Sequence, residues 1–408
     1  MIANVLRYLV ILLLTPIAVA QQEPGDRNDP KITIGERFSM QSRVLNEERA
    51  YWVYVPASYD NNDRQHYPVM YILDGDAHFQ SATGVVQFMS SGINGNYQIP
   101  ELIVVAIPNT NRLRDLTPTL STVGFDGEPT DSLDESGGGD DFLHFINDEL
   151  FAEIDSAYRT MPHRTFVGHS LGGLMALHAL LDVPDMFQAY LSIDPSMWWD
   201  GEILTARAEE IFAVPNARNG SVYISQAAQI DLGDDKPGRM RITSSTFADV
   251  LATAESPTFR LKVDYFEKEN HGSVPLISLY HGLLHVFDIY QLPYSAVVSD
   301  PTIITRHFEK ISERLGATMP PPEGLVNRMG YFLLQNLEDV QGAITVFELN
   351  VANFPESANA YDSLGEALGI GGDTGEAIRI YEMSLMLDPD NDNAKDQLEI
   401  LRKTTDQE

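Results

Sequence analysis

The chain reads as an α/β protein with a mostly parallel sheet flanked by helices, followed by a small all-α domain of helical repeats. Three observations predict this. Runs that are apolar almost throughout, Pro68-Val69-Met70-Tyr71-Ile72-Leu73 and Leu102-Ile103-Val104-Val105-Ala106-Ile107, alternate with stretches of helical periodicity. Strands of that kind are buried on both faces, as in a parallel sheet covered by helices. At the centre, Arg164-Thr165-Phe166-Val167-Gly168-His169-Ser170-Leu171-Gly172-Gly173 runs into Leu174-Met175-Ala176-Leu177, a strand, a turn of small residues and a helix. After Pro301 the pattern turns helical without strands, and Ala343-Ile344, Phe347 and Pro355 recur 34 residues later as Ala377-Ile378, Tyr381 and Pro389.

Residues 1–20 read as a targeting segment. Arg7 charges its start, Tyr8 to Leu14 form an apolar core, and Ala18-Val19-Ala20 is a small-residue cleavage site before Gln21. The core is short for a membrane span, so a cleaved signal and a periplasmic or secreted protein are expected, with an uncleaved anchor as the alternative. Gln21 to Asp29, polar with Pro and Gly, reads as a disordered lead-in. The chain has no cysteine, which excludes disulfides, thiolate metal sites and a cysteine nucleophile and leaves stability to core burial. The formal charge of -32 repels nucleic acid and anionic lipid. It is read as a generally acidic or salt-adapted surface.

Strands are expected where Ile32, Ile34 and Phe38 alternate and at Ala50-Tyr51-Trp52-Val53-Tyr54-Val55. The strand ending Leu73-Asp74-Gly75 follows, then a helical segment around Val85 to Met89 and the strand at Leu102 to Ile107. Asn109 to Asp140 is a long polar, glycine-rich loop containing Arg112, Arg114 and Asp115, read as a cover for the substrate. Phe142, Phe145, Ile146, Leu150 and Ile154 step at helical spacing. Further strands are expected at Ala189 to Ile193, Ser221 to Ser225 and Leu261 to Phe266, and a closing helix from Leu276 to Tyr290. Pro320-Pro321-Pro322 marks a linker over residues 299–323. Residues 324–404 carry the 34-residue period of tetratricopeptide helix pairs, with Tyr361-Asp362-Ser363-Leu364-Gly365 opening a unit.

Gly168-His169-Ser170-Leu171-Gly172 between a strand and a helix is the setting of a nucleophile elbow. The tight turn exposes Ser170, and the helix start aims its N–H groups at a developing oxyanion. The bland alternative is a strand-to-helix turn whose serine only caps the helix. A downstream acid and His separate the two. His271, in the polar loop after the last strand, is placed to take the Ser170 proton and return it, which requires Nε2 within hydrogen-bond reach of Ser170 Oγ. The acid should follow the strand ending at Ser225, where the loop offers Asp231, Asp234 and Asp235. Asp234 or Asp235 is preferred, and Asp194, ending the previous strand, is the other candidate. Backbone N–H groups of Leu171 and Asp76 are the expected oxyanion donors. Trp198 and Trp199 either wall the substrate pocket or pack in the core. His281 and His285 lie four apart without the carboxylates of a zincin and are read as structural. No metal and no cofactor is expected.

Five motifs in order carry a resemblance: Ile72-Leu73-Asp74-Gly75, Asn111-Arg112-Leu113-Arg114-Asp115-Leu116-Thr117-Pro118, Gly168-His169-Ser170-Leu171-Gly172-Gly173, Asp194-Pro195-Ser196-Met197-Trp198-Trp199-Asp200 and Asn270-His271-Gly272-Ser273-Val274-Pro275. Together they resemble the Putative esterase family of α/β-hydrolases, which includes esterase D and the ferric-siderophore, feruloyl and acetylxylan esterases. The resemblance implies an α/β-hydrolase domain over residues 31–298 and a serine carboxylic-ester hydrolase with nucleophile Ser170 and base His271, forming an acyl-enzyme with a small or siderophore-like ester. The family's acid has no recognisable counterpart after Ser225, and some siderophore esterases in the family lean on a Ser–His pair. Arg112 or Arg114 then holds a carboxylate or catecholate, or pairs with Asp115. The alternative from another class is a retired hydrolase scaffold whose helical repeats bind a protein partner.

Overall fold

The strands are β1 (Glu36–Ser42), β2 (Glu47–Tyr54), β3 (Tyr67–Leu73), β4 (Ile103–Ile107), β5 (Thr160–His169), β6 (Ala189–Ile193), β7 (Gly220–Ala227) and β8 (Phe259–Phe266). The computed structural model describes residues 32–61, 64–92, 96–214, 218–228 and 237–405. One sheet holds all eight strands in the order β1-β2-β4-β3-β5-β6-β7-β8. β1 with β2 and β2 with β4 are antiparallel, and every other pair is parallel.

Sequence pattern and position agree. β3, β4 and β6 are buried along their whole lengths, as their unbroken apolar runs require, whereas β1 and β2 alternate because one face meets solvent. The first strand starts later than the alternation of Ile32 and Ile34 predicts. Its ladder begins at Glu36 opposite Val53, and Ile32 is exposed.

Helices cover both faces. Leu171–Asp182, Ile203–Phe212 and the helical stretch through Phe142, Phe145 and Ile154 pack on one side; Gly75–Ser90 and Val274–Val286 pack on the other. The middle of the amphipathic stretch, Ile146–Leu150, is a π-helical segment. The long loop is not structureless: Arg112–Asp115 is a short helix within it.

The segment read as a linker contains the helix Ile303–Leu315, whose Ile304, Phe308 and Ile311 are buried. Its apolar face continues the core beneath Val274–Val286, and that core runs on without a break through Val326 and Phe347 to Ile380. The helix pair Val340–Asn353 and Ala358–Ile370 is followed by Thr374–Leu387 and Asp392–Thr405, each helix start recurring 34 residues later. Asp339 and Asp373 cap equivalent helices by accepting from Gly342 N–H and Glu376 N–H. Among the described residues no helix is long and apolar enough to cross a membrane.

Candidate active site

The strand order reverses at β3: β4 lies to one side of it and β5 to the other. In an open α/β sheet that reversal opens a crevice beyond the carboxyl ends of the strands. Ser170 follows β5 there, and Asp74 follows β3.

The elbow is built by close backbone packing. A side chain at Gly168 would put its Cβ 2.1 Å from the Gly172 carbonyl oxygen, so this position admits only glycine. Ser170 takes φ 60° and ψ -117°, a strained geometry for a residue with a side chain. Three backbone hydrogen bonds hold it: Ser170 N–H donates to Ile193 O at 3.0 Å, and Leu174 N–H at 3.0 Å and Ser196 N–H at 3.1 Å both donate to Ser170 O.

His271 Nε2 lies 3.1 Å from Ser170 Oγ, within the reach that the pairing requires. Its loop is fixed by Asn270, whose side-chain oxygen accepts from Gly272 N–H and Ser273 N–H, while its carbonyl accepts from Val274 N–H as the next helix starts. On the other ring edge, Nδ1 lies 2.6 Å from Asp194 Oδ2. Asp194 is 3% exposed, and its Oδ1 accepts from Ala227 N–H at 3.1 Å. Since Nδ1 donates to the carboxylate, Nε2 of the neutral ring is the acceptor, and the Ser170 hydroxyl donates to it.

The carboxylate at His271 is therefore Asp194, the candidate placed second from sequence. Asp231, Asp234 and Asp235 lie outside the described residues. Asp194 takes φ 40°, another strained non-glycine position beside the serine.

Leu171 is the first residue of the helix Leu171–Asp182 and Asp76 the second of Gly75–Ser90. Their N–H groups belong to first turns, which have no intrahelical acceptor. Beside them, Arg112 grips Asp74 through Nε–Oδ1 at 2.6 Å and Nη2–Oδ2 at 3.0 Å, and Asn109 Nδ2 donates to the same Oδ1 at 2.7 Å. Burial pushes the Asp74 carboxyl up, but the hydrogen bonds and charge of Arg112, with Asn109, outweigh it and hold the group below its ordinary value. Arg112 also donates to His169 O at 3.3 Å, so it ties the β3 end to the β5 end. Arg114 is spent on Glu47 and Asp115, as the ion-pair alternative anticipated.

The two tryptophans separate. Trp199 is 1% exposed and its indole N–H donates to Thr119 O at 3.2 Å, so it packs in the core. Trp198 is partly exposed and meets Phe125 edge-on, with ring centroids 5.3 Å apart. His281 pairs with Asp264 at 3.3 Å, and burial pushes the His285 ring down to about 4.

Two neighbours of the serine, His169 and Ser196, lie within motifs already noted but had no role assigned from sequence. The His169 ring lies 4.4 Å from the His271 ring, centroid to centroid, and burial, with His271 and His78 nearby, pushes it down to about 4, so it is neutral. Ser196 Oγ lies 3.3 Å from Ser170 Oγ. Neither contact has a spacing that a linear pattern would reveal.

Comparison with known proteins identifies the family. The model of the Putative esterase family matches residues 42–274. The ferri-bacillibactin esterase BesA of Bacillus subtilis (strain 168) is 30% identical over 237 residues, 56% of this chain and 82% of its own length. The siderophore enterobactin esterase of Emericella nidulans is 27% identical over 259 residues, 54% of this chain and 82% of its own. The solved structure of an IroE-like serine hydrolase from Shewanella oneidensis superposes with a TM-score of 0.68 at 28% identity, covering 78% of this chain and 98% of that one. The chain belongs to the Putative esterase family and is a carboxylic ester hydrolase.

Proposed function

We propose that this hydrolase cleaves siderophore-like esters through an acyl-enzyme on Ser170. The observation that carries the reading is the unbroken chain from Ser170 Oγ to His271 at 3.1 Å and from His271 to Asp194 at 2.6 Å. His271 Nε2 takes the hydroxyl proton as Oγ bonds to the ester carbon. Backbone N–H groups of Leu171 and Asp76 receive the oxyanion. As the carbonyl re-forms, the imidazolium protonates the leaving alcohol. Water, deprotonated by the same nitrogen, then releases the acid and frees Ser170. Asp194 keeps the proton on Nδ1 and stabilises the imidazolium.

The substrate class is carried over from the relatives, whose names are those of siderophore esterases. Trp198 and Phe125 give an aromatic edge near the serine turn. The pattern of residues 1–20 supports export to the periplasm or beyond the cell. The 34-residue recurrence of two helix pairs supports a tetratricopeptide-like module, here packed against the hydrolase core.

The test is hydrolysis of p-nitrophenyl acetate and of a ferric triscatecholate macrocyclic ester by the full mature chain, beside Ser170→Ala. Turnover of both is expected, with the macrocycle preferred in kcat/KM and a loss on the order of a million-fold in the variant. Hydrolysis of the simple ester alone would remove the substrate class. Absence of any turnover would favour a retired scaffold.

A further inference from the structure

We infer that Ser196 is a positioning residue for the nucleophile, an inference that rests on Ser170 and His271 acting as proposed above. Ser196 is 4% exposed and touches Ser170 twice, through N–H to the Ser170 carbonyl at 3.1 Å and through Oγ to Ser170 Oγ at 3.3 Å. It sits two residues after Asp194, so one turn carries both the carboxylate behind His271 and a hydroxyl beside the serine.

That turn has little freedom. Asp194 N–H donates to Ser225 O at 2.9 Å, Met197 N–H to Pro195 O at 2.8 Å and Trp199 N–H to Ser196 O at 3.1 Å. Pro195 also packs on the elbow helix: a Cβ at Gly173 would lie 3.1 Å from Pro195 Cβ. The Ser196 hydroxyl is thus delivered to the nucleophile by a clamped backbone.

Counting protons fixes the direction of the contact. His271 Nδ1–H points to Asp194, so Nε2 accepts and the single Ser170 proton is committed to it. The contact between the two serines can then be made only by the Ser196 proton, with Ser170 Oγ accepting. Ser196 therefore donates to the nucleophilic oxygen while that oxygen donates to His271. This selects the Ser170 rotamer that faces Nε2 and leaves the remaining lone pair for attack. During acylation the Ser170 proton passes to Nε2 as the Oγ–C bond forms, and the Ser196 proton stays on Ser196. When Ser170 leaves as the departing oxygen in deacylation, the same donor meets its developing charge.

The experiment compares wild type, Ser196→Ala, Ser196→Thr and His271→Ala as full mature chains, measuring kcat and KM on p-nitrophenyl acetate, the rate of fluorophosphonate labelling, and Tm. For Ser196→Ala, kcat and the labelling rate are expected to fall by about tenfold, the worth of one well-placed hydrogen bond. KM should change less than about twofold and Tm by less than about 4 °C. Ser196→Thr, which keeps the hydroxyl, should recover most of the rate. Wild-type kcat and labelling in Ser196→Ala would overturn the positioning role, as would a loss that tracks a fall in Tm and is not recovered in Ser196→Thr. Undiminished labelling in His271→Ala would instead overturn the reading on which it rests.

Discussion

Asp194 meets two donors, His271 Nδ1–H at 2.6 Å and Ala227 N–H at 3.1 Å, one on each carboxylate oxygen. Its removal frees His271 to turn or to take the other tautomer, in which Nε2 carries the proton and cannot accept one from Ser170. For Asp194→Ala a fall in kcat of about 10,000-fold is expected, with KM little changed, while Asp234→Ala and Asp235→Ala retain wild-type turnover. Steady-state kinetics on a single ester decides it; a normal rate in Asp194→Ala moves the acid elsewhere. Ser170 and His271 were legible in the sequence because each sits in a motif at a strand end and because their order along the chain matches the chemistry. The acid was not. Asp194 before Pro195 has an ordinary turn explanation, and only its φ of 40° and its contact with His271 reveal it.

At the scale of elements, the loop after β4 owes its order to charge. Arg49 in β2 and Asp115 in the short helix are both almost fully buried and meet at 2.6 Å, with Glu47 also bonded to Arg49 at 2.9 Å. Arg114 adds bonds to Glu47 and Asp115 from the loop side. Removing Asp115 leaves the Arg49 guanidinium buried with half its partners. Asp115→Ala should therefore cost about 3 kcal/mol in denaturant unfolding, whereas the apolar pair Arg49→Met with Asp115→Leu should cost less than that single change. A double variant less stable than the single would show that the ion pair itself, and not the stranded charge, dominates. The sequence gives no hint of this pairing because its members are 66 residues apart and a lone arginine in a half-buried strand reads as a surface residue. The helix Ile303–Leu315 agrees with the helical character expected after Pro301, its apolar positions Ile304, Phe308 and Ile311 keeping helical spacing, although Pro320-Pro321-Pro322 mark a linker just beyond it.

At the scale of the whole molecule, the C-terminal helices and the sheet share one core. His163 lies at their junction. It is buried beside Phe287, and both ring nitrogens lack a hydrogen-bond partner. Burial, with Arg314 and Arg260 nearby, pushes its ring from the ordinary 6.5 down to about 4. Between those values the unfolded chain binds a proton that the folded chain refuses. Stability from this group is thus complete above about pH 6.5 and falls as pH drops toward 4, by about 1.4 kcal/mol per pH unit. Thermal and denaturant unfolding of wild type against His163→Phe from pH 8 to pH 4 should show a shallower loss in the variant over that window. Parallel curves would mean that His163 accepts its proton in the folded state.

The central claim, a covalent intermediate on the elbow serine, is tested most directly by intact-mass and peptide-mass measurement after fluorophosphonate treatment. The expected result is a single adduct on the peptide containing Ser170, absent in Ser170→Ala and slowed sharply in His271→Ala and Asp194→Ala. An adduct on another residue, or ester hydrolysis that persists in Ser170→Ala, would contradict the claim.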